Sequence, residues 1–589
     1  MTMAETQLPV EPPRFEMPDK MYTAISVTEE KVSSAISKDH YNDWPNDLGF
    51  DVSEEEHTPV ELEISGNIPA YAAGVLYRTG PGGYKVETDK GETWAASHWF
   101  DGFSQVHRFQ LLPASDSQSV TSVMYNSRHS VDAVVDNIRK TGSLKSFTFG
   151  QKRDPCESFF KKITSVFMPF TSPTEGKPDG ANIGVTVSIN MPGLKAPELA
   201  TSPDQGSSTA GITSLMNTTD ASRYQFLDPS TLEPLAITGQ SELHPSLDGP
   251  LSATHAQIDP ITGDIFNYNL STGKTAVYRV FHISATTQKT TILATITDAP
   301  PAYLHSLFLT EKHVILCVWG SHYALRGLSL LHNRNILDSI APLDPAKPCV
   351  WYVIDRTPAN QGVLATYTSP PFFSFHTVNA YSEASPTSKN QTDIVADVVI
   401  YDDLSVLKRF YYDNLKSSSP GALAYMRTKG DSSRPYIARF RLPDIPSTPD
   451  ERSSKRSASR DWDTSRARLC LELPTMNPAF ATRKHRYIYG VTDSGLSTFF
   501  DGLAKFDTVA QEPVVWRTRG HSPGEPIFVA DPAAGEGEED WGVLLSVVLD
   551  GYAGKSYLLV LDAKTMREVG RAAMTGAVGF GFHGAWAGE

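Results

Sequence analysis

Short apolar runs of alternating character, broken every few residues by turn-forming side chains, dominate the chain from Pro69 onward. One local form recurs: a strand-like run, a turn carrying Asp, Thr or Pro, then a second run. It appears in RYQFLDPSTLEPLAIT, VYRVFHISATTQKTTILATI, WYVIDRTPANQGVLATY and YLLVLDAKTMREVGRA, spread from about 223 to 572. Aspartate and threonine close such turns by bonding their side chains to nearby backbone, so these segments predict antiparallel hairpins. Hairpins repeated over most of a chain predict an all-β propeller. Their irregular spacing requires insertions that interrupt the blades. A pair of β-sandwiches is the structural alternative.

Residues 1–45 are expected to form a loose tail with a short helix near EEKVSSAISKDHYNDW, and residues 46–589 a single domain. Cap insertions fall at about 130–170 and 302–337. In the first, SVDAVVDNIRKTGSLKSF and DPCESFFKKITSVFMPF have helical spacing. The second begins as strand and continues as a lipophilic loop or helix. A third insertion, at about 443–467, is polar and charged. It is expected to be an exposed mobile loop, because it has few apolar groups to offset its ordering entropy. Within 154–170, Phe159, Phe160, Ile163, Val166, Phe167 and Phe170 cover one broad helical face bordered by Lys161 and Lys162. That pattern suits an interfacial membrane helix and, equally, a cap helix packed on the propeller.

With 589 residues, 40% of them hydrophobic, the chain can bury a large core, and 41 glycines with 41 prolines favour turns over long helices. The formal net charge of −15, with no basic stripe, excludes a non-specific nucleic-acid role. The four cysteines, Cys156, Cys317, Cys349 and Cys470, form no CxxC pair, so zinc ribbons and a disulfide scaffold are poor readings. The opening MTMAETQLPVEPPRFEMPDK has acids and prolines where a signal peptide carries an apolar core. No apolar run approaches the ~20 residues that span a bilayer. These features predict a cytoplasmic protein with reduced thiols.

Sixteen histidines are available. His40, His57, His129, His485 and His521 sit among polar residues and are expected to face solvent. His98 and His107 flank WFDGFSQV, whose Asp101-Gly102 pair signals a tight turn; they are read as structural, with pairing across the hairpin as the alternative. Four others lie near strand-like runs: His255 in SATHAQIDP, His305 in AYLHSLFLTE, His376 in FFSFHTVNAY and His583 in FGFHGAW. A buried imidazole needs partners for both nitrogens, and a metal or a core hydrogen bond supplies them equally well. No two of the four are a turn apart, so spacing alone leaves open whether they converge.

Several separated segments, in order, resemble the carotenoid cleavage oxygenase family: GVLYRTGPGGYKV, HWFDGFSQVHRFQ, HSLFLTE, FHTVNAY, GEPIFVADP and the terminal GFHG. The resemblance implies a seven-bladed β-propeller with a helical and loop cap over an axial Fe(II) held by His255, His305, His376 and His583. Four neutral imidazoles would leave the ferrous ion its full charge, and iron loading is expected to weaken as pH falls through the histidine range near ~6.5. The family braces its histidines with glutamates. Glu472 in CLELPTMNP and Glu525 in GEPIF match two of them, and Asp220 in NTTDASRYQFLDP stands at the third, one methylene shorter; a glutamate there is expected to preserve or raise activity. The implied partners are a lipophilic polyene and O2, reached through an apolar tunnel, with peripheral contact to membranes or lipid bodies. Phe159, Phe160, Ile163 and Phe167 are the membrane-contact candidates, and Cys156 is a candidate for acylation. PPRFEMPDKMYTAISVTEE, HYNDWPNDLGFD and FGQKRDPC are most similar to the fungal branch that cleaves torulene-like substrates, which implies an apo-4′-carotenal product. The alternatives are a stilbene (resveratrol-type) cleaving oxygenase on the same iron site, a retinyl-ester isomerohydrolase, and a metal-free binding propeller.

Overall fold

The computed structural model describes Tyr22–Ala24 and residues 40–588, except 115–117, 145, 153–173, 198–210, 387, 390, 450–455, 466–468 and 536. Strands dominate, arranged as seven sheets of four to six strands and one two-stranded ribbon. Numbered in chain order, blade I contains Gly74–Pro81, Ser104–Pro113 and Val120–His129, and blade II runs from Thr186–Ile189 to Pro234–Gly239. Blades III, IV and V begin at Leu251–Ser252, Phe308–Leu309 and Thr377–Ala384, blade VI at Leu471–Thr475 and blade VII at His521–Pro523.

Two chain ends close the ring. The last strand, His583–Gly588, pairs antiparallel with Gly74–Pro81 in blade I, with His583 opposite Thr79. Glu63–Gly66 completes blade VII against Glu568–Ala573. Ordered packing therefore starts before Pro69, and Tyr41 and Trp44 are already buried.

All four predicted hairpins form. Their turns close as the side-chain chemistry dictates. Asp228 Oδ1 accepts from the Ser230 and Thr231 amides at 2.9 and 2.8 Å, Asp355 Oδ1 from Thr357 N at 2.8 Å, and Asp562 Oδ1 from Thr565 N at 2.7 Å. Alternation along the strands then buries one continuous apolar core spanning blades III to VII.

The segment at 443–467 departs from the expected loop. Ser459–Asp463 is the outer strand of blade V, antiparallel to Tyr436–Ile445, and Arg456–Ser457 pairs with Val363–Ser369 of blade IV. An edge strand needs no second apolar face, so a polar sequence can supply it.

The cap is built from the predicted insertions and one that was not foreseen. Helix α1 (Asp132–Thr141) buries Ala133, Val134 and Ile138 and ends at Gly142, in the left-handed conformation with φ 71° that suits glycine. Residues 147–150 are tied down by Asp101, whose carboxylate accepts from the Phe149 and Gly150 amides at 2.6 and 2.8 Å. The second insertion carries helix α2 (Leu328–Asn333), and Thr148 bridges to Asn335, joining the two insertions. Between two strands of blade V lie three further short helices: Ser405–Arg409, Tyr412–Leu415 and Pro420–Lys429. Candidates Phe159, Phe160, Ile163, Phe167 and Cys156 lie outside the described residues, as does most of the helix expected near residues 29–44, of whose end the short 3-10 turn Tyr41–Asp43 is described. Among the described residues, no helix is long and apolar enough to cross a membrane.

Candidate metal centre

The structure brings His255, His305, His376 and His583 together on the propeller axis. Each stands at the axial end of an inner strand: His255 before Gln257–Ile258 of blade III, His305 before blade IV, His376 directly before Thr377–Ala384 of blade V, and His583 at the start of the closing strand of blade I. The backbone links the first two, since His255 N donates to His305 O at 3.2 Å. His305, His376 and His583 are buried and His255 is half-buried.

One ring nitrogen from each of the four lies within 4.8 Å of the others. Nε2 of His583 is 3.0 Å from Nε2 of His255 and 3.2 Å from Nε2 of His376. Two metal–imidazole bonds of ~2.1 Å at a right angle give a separation of about 3.0 Å. The His305 and His583 ring centroids are 6.3 Å apart, so the rings fan outward while their tips converge.

Carboxylates take the opposite ring nitrogens. His305 Nδ1 is 2.8 and 2.9 Å from the two Asp220 oxygens. His376 Nδ1 is 2.6 Å from Glu472 Oε2, and His583 Nδ1 is 2.8 Å from Glu525 Oε1. A Nδ1–H donated to a carboxylate leaves the lone pair on Nε2. Several lone pairs then face one point and repel unless a cation sits among them. This donor set fits a divalent transition metal that favours imidazole.

The carboxylates come from the blades that supply no histidine. Asp220 lies in the turn after Leu215–Thr218 of blade II, Glu472 in the inner strand of blade VI, and Glu525 in the loop between the first two strands of blade VII. Blades I, III, IV and V present imidazoles; II, VI and VII present the groups that aim them. At Glu472 the chain bulges through Leu473, with φ 48°, and the Leu473 amide donates back to Glu472 Oε2 at 2.5 Å.

Burial and the repulsion of neighbouring imidazoles hold His255 and His583 well below the usual histidine range, which keeps them neutral at neutral pH, the state a metal would require. Burial works against the Glu472 charge, but His376 and the hydrogen bonds outweigh it and lower that carboxyl. Burial pushes Glu525 up to about 7 against the pull of Arg78. A cation on the His583 ring would draw it back down.

Above the histidines lies a cavity of about 610 Å³, with His305, His376 and His583 in its wall. Phe103, Phe149, Leu330, Ile336, Phe375 and Phe582 make much of the remainder. The Phe375 ring stands edge-on to His305 at 5.7 Å, so the aromatic run around His376 faces the cavity as well as the core.

The other histidines divide differently from the sequence expectation. His485 and His521 are buried. His485 lies just before the strand Tyr487–Thr492, between Lys484 and Arg486, which are exposed, and these charged neighbours disguised it. Its Nδ1 accepts from Asn379, and its Nε2 is 3.0 Å from Asp397. His521 Nδ1 meets Tyr557 Oη at 2.9 Å. His98 and His107 do not pair: His98 Nε2 meets Leu407 O at 2.8 Å, and His107 Nδ1 meets Tyr125 Oη at 2.9 Å. Sequence reasoning also missed Tyr303 and Tyr401, which hydrogen-bond the Asp220 and Glu472 carboxylates, and Arg78, which forms an ion pair with that of Glu525. Tyr303 carried a readable signal, because it stands two residues before His305.

Fold and donor set together define a propeller protein that is metal-dependent and opens its metal site into an apolar chamber. A family model described as RPE65, retinal pigment epithelial membrane protein, matches residues 49–588, and the chain belongs to that family. Among curated relatives, a carotenoid dioxygenase of Neurospora crassa is 40% identical over 569 residues, covering 92% of this chain and 91% of that protein. A torulene dioxygenase of Gibberella fujikuroi is 40% identical over 573 residues, covering 94% and 96%. Among solved structures, an ACO/RPE65 chimera superposes with a TM-score of 0.67 at 19% identity, covering 92% of this chain and 98% of that one. A cobalt-substituted Synechocystis ACO gives 0.66 at 18% identity, with the same coverage.

Proposed function

We propose that the chain is an Fe(II)-dependent dioxygenase that cleaves one C=C bond of a carotenoid or apocarotenoid, of the torulene type, to give two aldehydes. His255, His305, His376 and His583 hold the ion, and Asp220, Glu472 and Glu525 aim the rings. The observation that carries the reading is the convergence of four imidazole nitrogens, three of whose rings stand in the wall of an apolar chamber. A ferrous ion bound there supplies the one-electron chemistry that lets ground-state dioxygen react with a closed-shell polyene. The chain's own residues exclude water, line the polyene against aromatic faces, and keep the donor nitrogens deprotonated. The fungal relatives named for carotenoid and torulene support the substrate class.

Delivery of such a substrate calls for contact with lipid. Leu325, Leu328, Leu331 and Phe147 are exposed on the cap, and Leu331 and Phe147 also line the cavity. An apolar rim at a chamber mouth suits peripheral docking on a membrane surface.

The test is incubation of the ferrous protein with torulene, β-carotene and resveratrol separately under 18O2. Aldehydes from torulene, each carrying the label, are expected. Absence of aldehyde from both polyenes, or cleavage of the stilbene alone, overturns the reading.

A further inference from the structure

We propose that Tyr303 and Asp220 act as one unit that positions the His305 ring, the tyrosine making good the methylene by which aspartate falls short of glutamate. This inference rests on the metal-centre reading above.

At the two glutamates, the oxygens divide their work. Glu472 Oε2 faces His376 Nδ1 and Oε1 accepts from Tyr401 Oη at 2.8 Å. Glu525 Oε1 faces His583 Nδ1, and Oε2 accepts from Gly584 N at 2.8 Å. Asp220 is arranged otherwise, with both oxygens against His305 Nδ1. Tyr303 Oη stands 2.8 Å from Asp220 Oδ2 and 3.3 Å from His305 Nδ1, so phenol, carboxylate and imidazole close a triangle. Among the described residues, the only other donor to the Asp220 carboxylate is a long one, the Thr254 amide at 3.3 Å from Oδ1.

The tyrosine is the rigid member of the set. It is fully buried, its ring packs edge-on to Phe149 at 5.5 Å, and its carbonyl accepts from Trp319 Nε1 at 3.1 Å. Packing fixes the phenol, the phenol fixes the carboxylate, and the carboxylate fixes the ring. Asp220 reaches a second ligand too, because its carbonyl accepts from Ser252 N at 2.8 Å in the strand that leads to His255. A longer side chain at 220 would drive its carboxylate into the Tyr303 hydroxyl. Glutamate there is therefore harmful alone and tolerated only once the hydroxyl is removed, the reverse of what the family pattern suggests.

The experiment is a double-mutant cycle of Tyr303→Phe and Asp220→Glu on full-length protein. Metal affinity is read by chelator competition for ferrous ion, and ligand geometry by the visible absorption of the cobalt(II)-loaded protein. Phenylalanine keeps the ring and its packing, so melting curves should stay close to the parent. Each single change is expected to weaken ferrous binding by about tenfold, the low end for loss of a group that supports a ligand. The double variant should return to within about threefold of the parent, with the parent's cobalt spectrum. Single losses that multiply in the double variant overturn the proposal, as does an Asp220→Glu protein that binds as tightly as the parent. A parent that binds neither ion refutes the metal reading itself, and this inference with it.

Discussion

Arg78→Met tests whether the centre is held by charge as well as by shape. Arg78 is 3% exposed, and its Nη1 donates to Glu525 O at 2.9 Å and lies 3.6 Å from Glu525 Oε2. Two unit charges at that separation attract by about 5 kcal/mol at an effective dielectric of ~20. Removing one member of a buried pair typically costs about 3–5 kcal/mol, because the survivor stays buried without its partner. One contribution opposes this. Arg78 Nη2 is buried with no hydrogen-bond partner among the described residues, and deleting such a donor returns about 1–2 kcal/mol. Methionine occupies the space of the arginine stem, so cavity formation adds little. The net expectation is a loss of about 3 kcal/mol, read as a lower urea midpoint, with ferrous ion stripped by chelator about tenfold more easily because Glu525 no longer aims His583. An unchanged midpoint together with unchanged metal retention would refute the electrostatic account of this side of the site.

Three further outcomes follow from other regions. His305→Ala or His583→Ala should abolish metal retention and polyene cleavage while circular dichroism keeps the parent β signature. Arg439→Met removes the bidentate partner of buried Asp397, with both contacts at 2.7 Å, and should lower stability by about 3–5 kcal/mol at pH 7. Burial opposes the Asp397 charge, but Arg439 and His485 hold its carboxyl below the ordinary value of 3.8, so it adds stability above that value that is lost as pH falls. The acid-induced part of unfolding should accordingly shrink in the variant, as urea titrations at pH 7 and at about pH 3, below the ordinary carboxylate value, would reveal. Leu325→Glu with Leu328→Glu should reduce co-sedimentation with zwitterionic liposomes without loss of metal; unchanged partitioning would remove the cap rim from the docking account.

The hairpins were legible because their signal is local. Asp228, Asp355 and Asp562 close their own turns with their own side chains, and nothing distant is needed to read them. The polar strand Ser459–Asp463 was illegible because an edge strand borrows its hydrogen bonds from Tyr436–Ile445 and turns only one apolar side chain, Trp462, toward the core. His485 was misread for a related reason: its charged sequence neighbours Lys484 and Arg486 are exposed while its own ring turns inward to Asn379 and Asp397. The helices between residues 405 and 429 are short and sit inside blade V, where length and periodicity give weak evidence.

The centre itself belongs to a different category of illegibility, and its cause is topological. Seven blades each place one residue around the axis, four imidazoles and three carboxylates, and the ring that sets their spacing closes only when His583–Gly588 pairs with Gly74–Pro81. His583, one of the four proposed ligands, lies on the strand that closes the circle, so the site cannot assemble before the fold is complete. Local sequence could therefore nominate each histidine but not relate any two of them; resemblance to a family supplied the relation. Resemblance in turn is weakest where this chain departs from the pattern, at Asp220. There the proposed answer is Tyr303, a side chain whose contact with Asp220 appears only when the connection into blade IV meets the turn of blade II. A family motif identifies which atoms meet, but the reach of each side chain, and what compensates when it is short, is decided by packing between blades.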